Sequence, residues 1–421
     1  MRFAVAVHGT RGDVEPCAAA ALELTRRGHQ VRMAVPPNLL HFVEESGLGP
    51  AVVYGVDSQQ QLETDVFRQP LRIRHPRAAL VEVRDYMTQG WAEMSRTLVS
   101  LATDADLILT GTTYQELAAN VAEHHGIPLA ALHYFPFRAN SYVLPLKLPA
   151  SVVGSVWPII ESLHWRLIRP AEDEQRRELG LPQTRVRAIR RMIDSGALEI
   201  QAYDKELFPG LAEEWTGRRP VTGALTLELD TQADAATSDW IDAGQAPIYF
   251  GFGSMPVESP AAAVSMISRV CAALGQRALI CSGVWDLDAA ATDDHVKVVR
   301  SVNHSAVFPR CRAVVHHGGA GTTAAGLRAG APTLVLWIGA EQPLWAARVK
   351  RLGVGDAMKF TSVTAESLHS GLCTVLAAAS AQRAGELAAR MATPAQSLSA
   401  AADLLEASAR QGRIPVKVSR R

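Results

Sequence analysis

Four short stretches of this 421-residue chain carry side chains suited to chemistry. The densest is His316-His317-Gly318-Gly319-Ala320-Gly321-Thr322-Thr323. It follows an apolar run and opens a helical pattern, so backbone N–H groups and the helix dipole converge on one small volume, the geometry of an anion site. Glycines let a phosphate approach the backbone, the threonines add hydroxyl donors, and His317 reaches a second oxygen. The same letters, Gly319-Ala-Gly321-Thr-Thr-Ala324, satisfy a relaxed dinucleotide fingerprint, with Glu341 about where a ribose-binding acid belongs. A second stretch, Gly9-Thr10-Arg11-Gly12-Asp13-Val14-Glu15-Pro16, sets Asp13 at a helix N-terminus, which favours its ionised form. A carboxylate there accepts a proton from an incoming hydroxyl, and it equally serves as a helix cap; the two roles are compatible. Gly251-Phe252-Gly253-Ser254 is a third turn, with a hydroxyl placed to meet phosphate. The fourth is Glu341-Gln342, a carboxylate and an amide suited to gripping vicinal hydroxyls, or simply a helix start.

Strand–turn–helix units must position these turns. Residues 2–7, 31–35, 107–110 and 128–132 read as buried strands, with helices over 15–27 and 114–124. A second register begins near Pro220: strands over 247–252, 277–282, 296–299, 313–316 and 332–336 alternate with helices over 260–274, 320–329 and 344–352. Alternation implies parallel strands with right-handed crossovers, and ligands at their carboxyl ends. The expected architecture is α/β: two Rossmann-like, doubly wound domains facing each other across a cleft, with a linker within 213–246. Residues 135–170 are apolar and punctuated by proline, too irregular for a core helix. Residues 176–191 read as a charged surface helix and its connection.

Composition sets the outer bounds. With 42 Lys+Arg against 42 Asp+Glu, no basic surplus exists to neutralise a nucleic-acid backbone. No apolar run reaches the roughly 18 residues of a spanning helix, and the apolar N-terminus is too short for a signal-peptide core. Five scattered cysteines without zinc spacing fit free thiols in a reducing compartment, so the expected location is cytoplasmic. Asp104-Ala-Asp106 and Asp286-Leu-Asp288 match the DxD pattern of metal-dependent sugar transfer but read as solvated turns, the first on the wrong side of its strand. The basic tail, 410–421, reads as a solvated end, with contact to an anionic membrane surface the alternative.

Taken together, HHGGAGTT, GFGS, GTRGD and the late Glu341-Gln342 pair resemble the GT-B nucleotide-sugar glycosyltransferases of bacterial natural-product pathways. Relatives of those enzymes include glycopeptide-antibiotic, sterol and mycobacterial glycopeptidolipid glycosyltransferases. The resemblance implies an acceptor-binding domain over 1–215, a nucleotide-sugar domain over 216–395, and a segment 396–421 whose helix packs back on the first domain. It implies Asp13 as general base. Gly12, Ser254, His317, Gly319, Gly321 and Thr322 match the diphosphate cradle. Trp285, Val302 and Asn303 fall at the base, Glu341 and Gln342 at the donor sugar, and His133, Phe135 and Tyr142 at the acceptor. Many relatives have Asp where this chain has Glu341, which points to a changed sugar preference. The implied activity is inverting, metal-independent transfer of a hexose or 6-deoxyhexose from a TDP- or UDP-sugar to a hydroxyl of a bulky lipidic or natural-product acceptor, such as a glycopeptidolipid. It needs no cofactor beyond that co-substrate and no nucleic acid, and it fits a cytoplasmic protein with peripheral contact at the inner membrane face. The sugar, the base, the acceptor and the oligomeric state stay open. Two other readings stand beside it: an NAD(P)-dependent oxidoreductase using 319–324, and a nucleotide-sugar epimerase of the same fold.

Overall fold

A computed structural model of the protein describes residues 1–62, 76–141, 150–215, 217–227, 234–253, 259–283 and 293–412. Short apolar runs become strands buried on both faces. In β1 (Arg2–Ala6), Phe3 and Val5 enter one core while Ala4 and Ala6 enter another. That pattern belongs to a parallel sheet covered by helices on both sides. The chain divides into two units: Met1–Tyr203 with Gly210–Leu227 and Pro394–Arg421, and Asp204–Pro209 with Glu228–Thr393.

In the first unit, β1 is joined by β2 (Gln30–Val35), β3 (Val52–Val53), β4 (Leu107–Thr110), β5 (Leu129–His133) and β6 (Leu198–Gln201). All pair in parallel, in the order β3-β2-β1-β4-β5-β6. The winding reverses between β1 and β4, which makes the turns leaving those two strands the expected ligand crevice. The helix Arg11–Arg26 follows β1 and buries Val14, Leu24 and the small residues Ala18 to Ala21. Helix Pro394–Arg410 joins the same core through Ala401, Ala402 and Leu405. Arg27 pairs with Asp403 at 2.6 Å and His29 with Glu406 at 3.1 Å.

The second unit repeats the plan. β7 (Ile248–Gly251), β8 (Ala278–Cys281), β9 (Val296–Val299), β10 (Ala313–His316), β11 (Thr333–Trp337) and β12 (Gly355–Lys359) form a parallel sheet in the order β12-β11-β10-β7-β8-β9. Its reversal falls between β7 and β10, the strands that lead into Phe252-Gly253 and His317-Gly318.

The structure corrects two expectations. Residues 135–170 are not irregular throughout: a helix spans Ala150–Glu178 and contains Pro158 and Pro170. An interior proline costs a helix about 3 kcal/mol, but tertiary burial outweighs propensity here. Trp157 and Ile168 are buried, and Gln175 accepts from Trp91 at 3.0 Å and Asn120 at 2.9 Å. Nor is Arg176 a surface residue. It is 2% exposed and paired with Glu123 at 2.6 Å. Among the described residues, no helix is long and apolar enough to cross a membrane.

Candidate functional site

In the first unit, chemistry gathers where β1 and β4 end. Thr10 caps the first helix and Asp13 is its third residue, so the carboxylate folds back onto the cap. One oxygen, Oδ2, accepts from the Thr10 backbone N–H at 2.7 Å and from the Thr10 hydroxyl at 2.9 Å. The other, Oδ1, accepts from the Tyr134 hydroxyl. Gly9, at φ 140°, is required by this arrangement, since a Cβ there would stand 2.4 Å from the Asp13 Cγ. Burial pushes the Asp13 pKa above its ordinary value, and the bonds from Tyr134 and Thr10 pull it partly back. The result is a carboxylate held in one orientation and more basic than a solvated one.

Aromatic groups surround that turn. Buried His8 bonds the Val56 carbonyl at 3.0 Å, and burial lowers its pKa. Its ring meets Tyr114 edge-on at 5.3 Å, and Tyr114 meets Trp91 at 5.8 Å. Tyr114 sits in the left-handed region at φ 56°, a strained backbone at the turn after β4. Beyond β5, the partly buried Phe135 ring lies 5.5 Å from Tyr134 and 5.6 Å from Phe137.

His133, expected among the acceptor contacts, is corrected by its surroundings. It is fully buried, with ring nitrogens at 3.0 Å from Gln115 and 3.2 Å from Gln201, leaving no surface for a ligand. Burial, reinforced by Arg138, lowers its pKa to about 3, so it is a neutral core group. Tyr134, which the resemblance places only in an acceptor-lining loop over 134–140, is the residue whose bond to Asp13 the sequence did not show. Its only local sign is its place directly after an apolar strand.

In the second unit, the helix Ala320–Arg328 starts at Gly319. No side chain caps it and no acidic residue stands in its first turn, so its N-terminus presents donors to an anion. His317 lies across this opening. A Cβ on Gly319 would come within 2.7 Å of its Nε2, and one on Gly253 within 3.0 Å of its Cε1. The two glycines therefore make the slot that holds the imidazole. Burial lowers the His317 pKa to about 4, against a hydrogen bond to Gly251 that raises it, so the ring is neutral near pH 7. The neighbouring His316 is fully buried and accepts from the Gly318 N–H at 2.9 Å. The threonines divide as well: Thr323 is buried with its hydroxyl on the Gly319 carbonyl at 2.8 Å, while Thr322 stays partly exposed and Gly321 exposed.

Other carboxyl-end turns carry the remaining candidates. Val302 is buried, and Asn303 caps a short helix, its oxygen accepting from the Ser305 N–H at 3.0 Å. Glu341 follows Ala340, a non-glycine residue at φ 52°. The Gln342 side-chain oxygen accepts from the Ile338 and Gly339 N–H groups at 2.8 and 3.3 Å. Gly12, in the first turn of its helix, is exposed. Ser254, Trp285 and Tyr142 lie outside the described residues, as do Asp286 and Asp288. Asp104 and Asp106 precede β4, and Asp106 accepts from the Arg2 N–H at 2.7 Å, at the opposite sheet edge. A dinucleotide site is not favoured: β11 ends at Trp337, and Glu341 stands four residues beyond, at the start of the next helix.

Known proteins share this plan. Residues 3–142 match the glycosyltransferase family 28 N-terminal domain, and residues 285–406 the C-terminal domain of proteins like erythromycin biosynthesis protein CIII. An uncharacterised glycosyltransferase of Mycobacterium tuberculosis is 57% identical over 415 residues, covering 98% of this chain and 100% of its own. Glycosyltransferase GtfE of Amycolatopsis orientalis is 30% identical over 421 residues, with 96% and 97% covered. Among solved structures, the glycosyltransferase VinC in complex with dTDP superposes with a TM-score of 0.66 at 18% identity, over 98% of this chain and 100% of that one.

Proposed function

Because this chain belongs to the GT-B glycosyltransferases of the natural-product type, we propose that it moves a hexose or 6-deoxyhexose from a TDP- or UDP-sugar to a hydroxyl of a bulky lipidic or natural-product acceptor, with inversion and with Asp13 as general base. The observation that carries the proposal is the Asp13 carboxylate itself: oriented by Thr10 and Tyr134, raised in basicity by burial, and set at the strand end where such sheets bind ligands. A nucleoside diphosphate on the second unit is supported by the uncapped Ala320 helix, the pinned His317 and the dTDP bound by VinC.

Each group then has a task. The helix N-terminus, His317 and Thr322 stabilise negative charge on the diphosphate as the bond to the sugar breaks. His317 acts as a neutral donor, because its depressed pKa keeps it uncharged at working pH. Fixed donors of this kind do the neutralising that a cation does elsewhere, so transfer is proposed to proceed without metal. Glu341 and the Gln342 amide grip sugar hydroxyls; the strained Ala340 backbone fixes where Glu341 begins its helix. Asp13 takes the acceptor hydroxyl's proton as oxygen attacks the anomeric carbon. Phe135 and the aromatic turn around Tyr134 supply an apolar surface for the acceptor, whose identity is proposed only as a class.

The test is nucleotide release from TDP- and UDP-sugars in the presence of lipidic alcohols and aglycones, with and without EDTA. Asp13→Asn should lower acceptor-dependent release by about 10²- to 10⁴-fold, the usual contribution of a positioned base. Full activity in that variant would refute the assignment of the base.

A further inference from the structure

We infer that Tyr134 is a positioning residue for this reaction: its hydroxyl, delivered from the turn after β5, holds the Asp13 carboxylate in one orientation and in its ionised state. The inference rests on the reading of Asp13 as base. Thr10 fixes only Oδ2, and both of its bonds are local to the helix cap. The oxygen left over, Oδ1, is met by a hydroxyl from a residue 121 positions away. An ionised carboxylate oxygen that accepts one hydrogen bond keeps a second lone pair, so an acceptor hydroxyl can bind Oδ1 beside Tyr134. The acceptor's proton passes to Asp13, and Tyr134 retains its own throughout.

Tyr134 can hold this place because its turn is anchored from below. Arg138, four residues on, is 1% exposed; it donates to Glu199 in a buried ion pair and to Gln115 at 2.7 Å. Asn140 donates to the Arg138 carbonyl at 2.8 Å. Displacing the turn that carries Tyr134 would strain the desolvated Arg138–Glu199 pair, which is strongly unfavourable. Without the hydroxyl, Asp13 would keep the same burial with one donor fewer, and its protonated form would gain.

The experiment compares wild-type protein, Tyr134→Phe and Asp13→Asn. Full-length protein carrying ¹³C-labelled aspartate carboxyls is titrated by NMR, with the Asp13 signal identified by its loss in Asp13→Asn. In Tyr134→Phe the Asp13 titration should move up by about one pH unit, and the acid limb of kcat for nucleotide release with it. Plateau kcat should fall by no more than about tenfold, with donor KM unchanged, since no donor contact is lost. Incorporation of 3-fluorotyrosine, a stronger donor of nearly the same shape, should move the titration down, and it covers the case in which Tyr134→Phe fails to fold. An Asp13 signal that titrates identically in wild type, Tyr134→Phe and the 3-fluorotyrosine protein would overturn the inference. Full transfer by Asp13→Asn, alongside a shifted titration, would instead overturn the base and leave the contact with Tyr134 standing.

Discussion

His317 and Asp13 are perturbed in opposite directions by the same cause. Burial disfavours charge, so the imidazole stays neutral and the carboxyl becomes easier to protonate. In the proposed reaction a neutral His317 would donate to phosphate without adding full charge, so its removal should weaken nucleotide binding rather than abolish chemistry. His317→Ala is expected to raise the Kd for TDP or UDP by about tenfold or more, as calorimetry would read. Gly319→Ala tests the slot more finely. Gly319 has φ −63°, which alanine adopts freely, so the new methyl acts only by displacing the ring 2.7 Å away. We expect weaker nucleotide binding with an unchanged melting temperature. Both sites were legible as strand–turn–helix motifs because each is built from neighbours in sequence. The Tyr134–Asp13 contact was not, since it joins residues 121 apart, and no local spacing records such a pairing. His133 misled for the related reason that a histidine at a strand's end looks the same whether it faces a ligand or the core.

Among the elements, the turn after β5 depends on charges that the fold has desolvated. Burial works against the Glu199 carboxylate, but Arg138 and Arg219 outweigh it and hold its pKa near 2. Glu116 is likewise lowered to about 2 against burial, by His164. A carboxyl with a depressed pKa in the folded state adds stability above its ordinary value of about 4.5, and that stability is lost as pH falls toward 2. Arg138→Met should therefore cost about 3–5 kcal/mol at pH 7, and less near pH 3, as urea denaturation at both pH values would show. Central strands were readable because they are apolar on both faces. The two-residue β3 was not: Val52 and Val53 are 49% and 42% exposed, so this edge lacks the buried pattern. Prolines hid the helix Ala150–Glu178, whose stability comes from what it packs against and not from its own letters.

At the scale of the whole molecule, one winding is used twice, and each unit offers its chemistry at its own reversal point. The chain's last helix belongs to the first unit, although the second unit precedes it in sequence. Deleting 394–421 would uncover the core face formed with Ala18 and Leu24 and remove Asp403 and Glu406, which pair with Arg27 and His29. We expect that truncation to lower the melting temperature of the first unit, seen calorimetrically, while nucleotide binding by the second persists. In the proposed reaction the second unit holds a nucleoside diphosphate and the first supplies the base. A metal-free thermal-shift series with UDP, TDP, GDP, NAD and NADP tests it most directly, run on wild type, Asp13→Asn and His317→Ala. Wild type and Asp13→Asn should be stabilised by TDP or UDP, and His317→Ala much less. Stabilisation by NAD or NADP alone, or nucleotide binding lost in Asp13→Asn but kept in His317→Ala, would contradict that assignment.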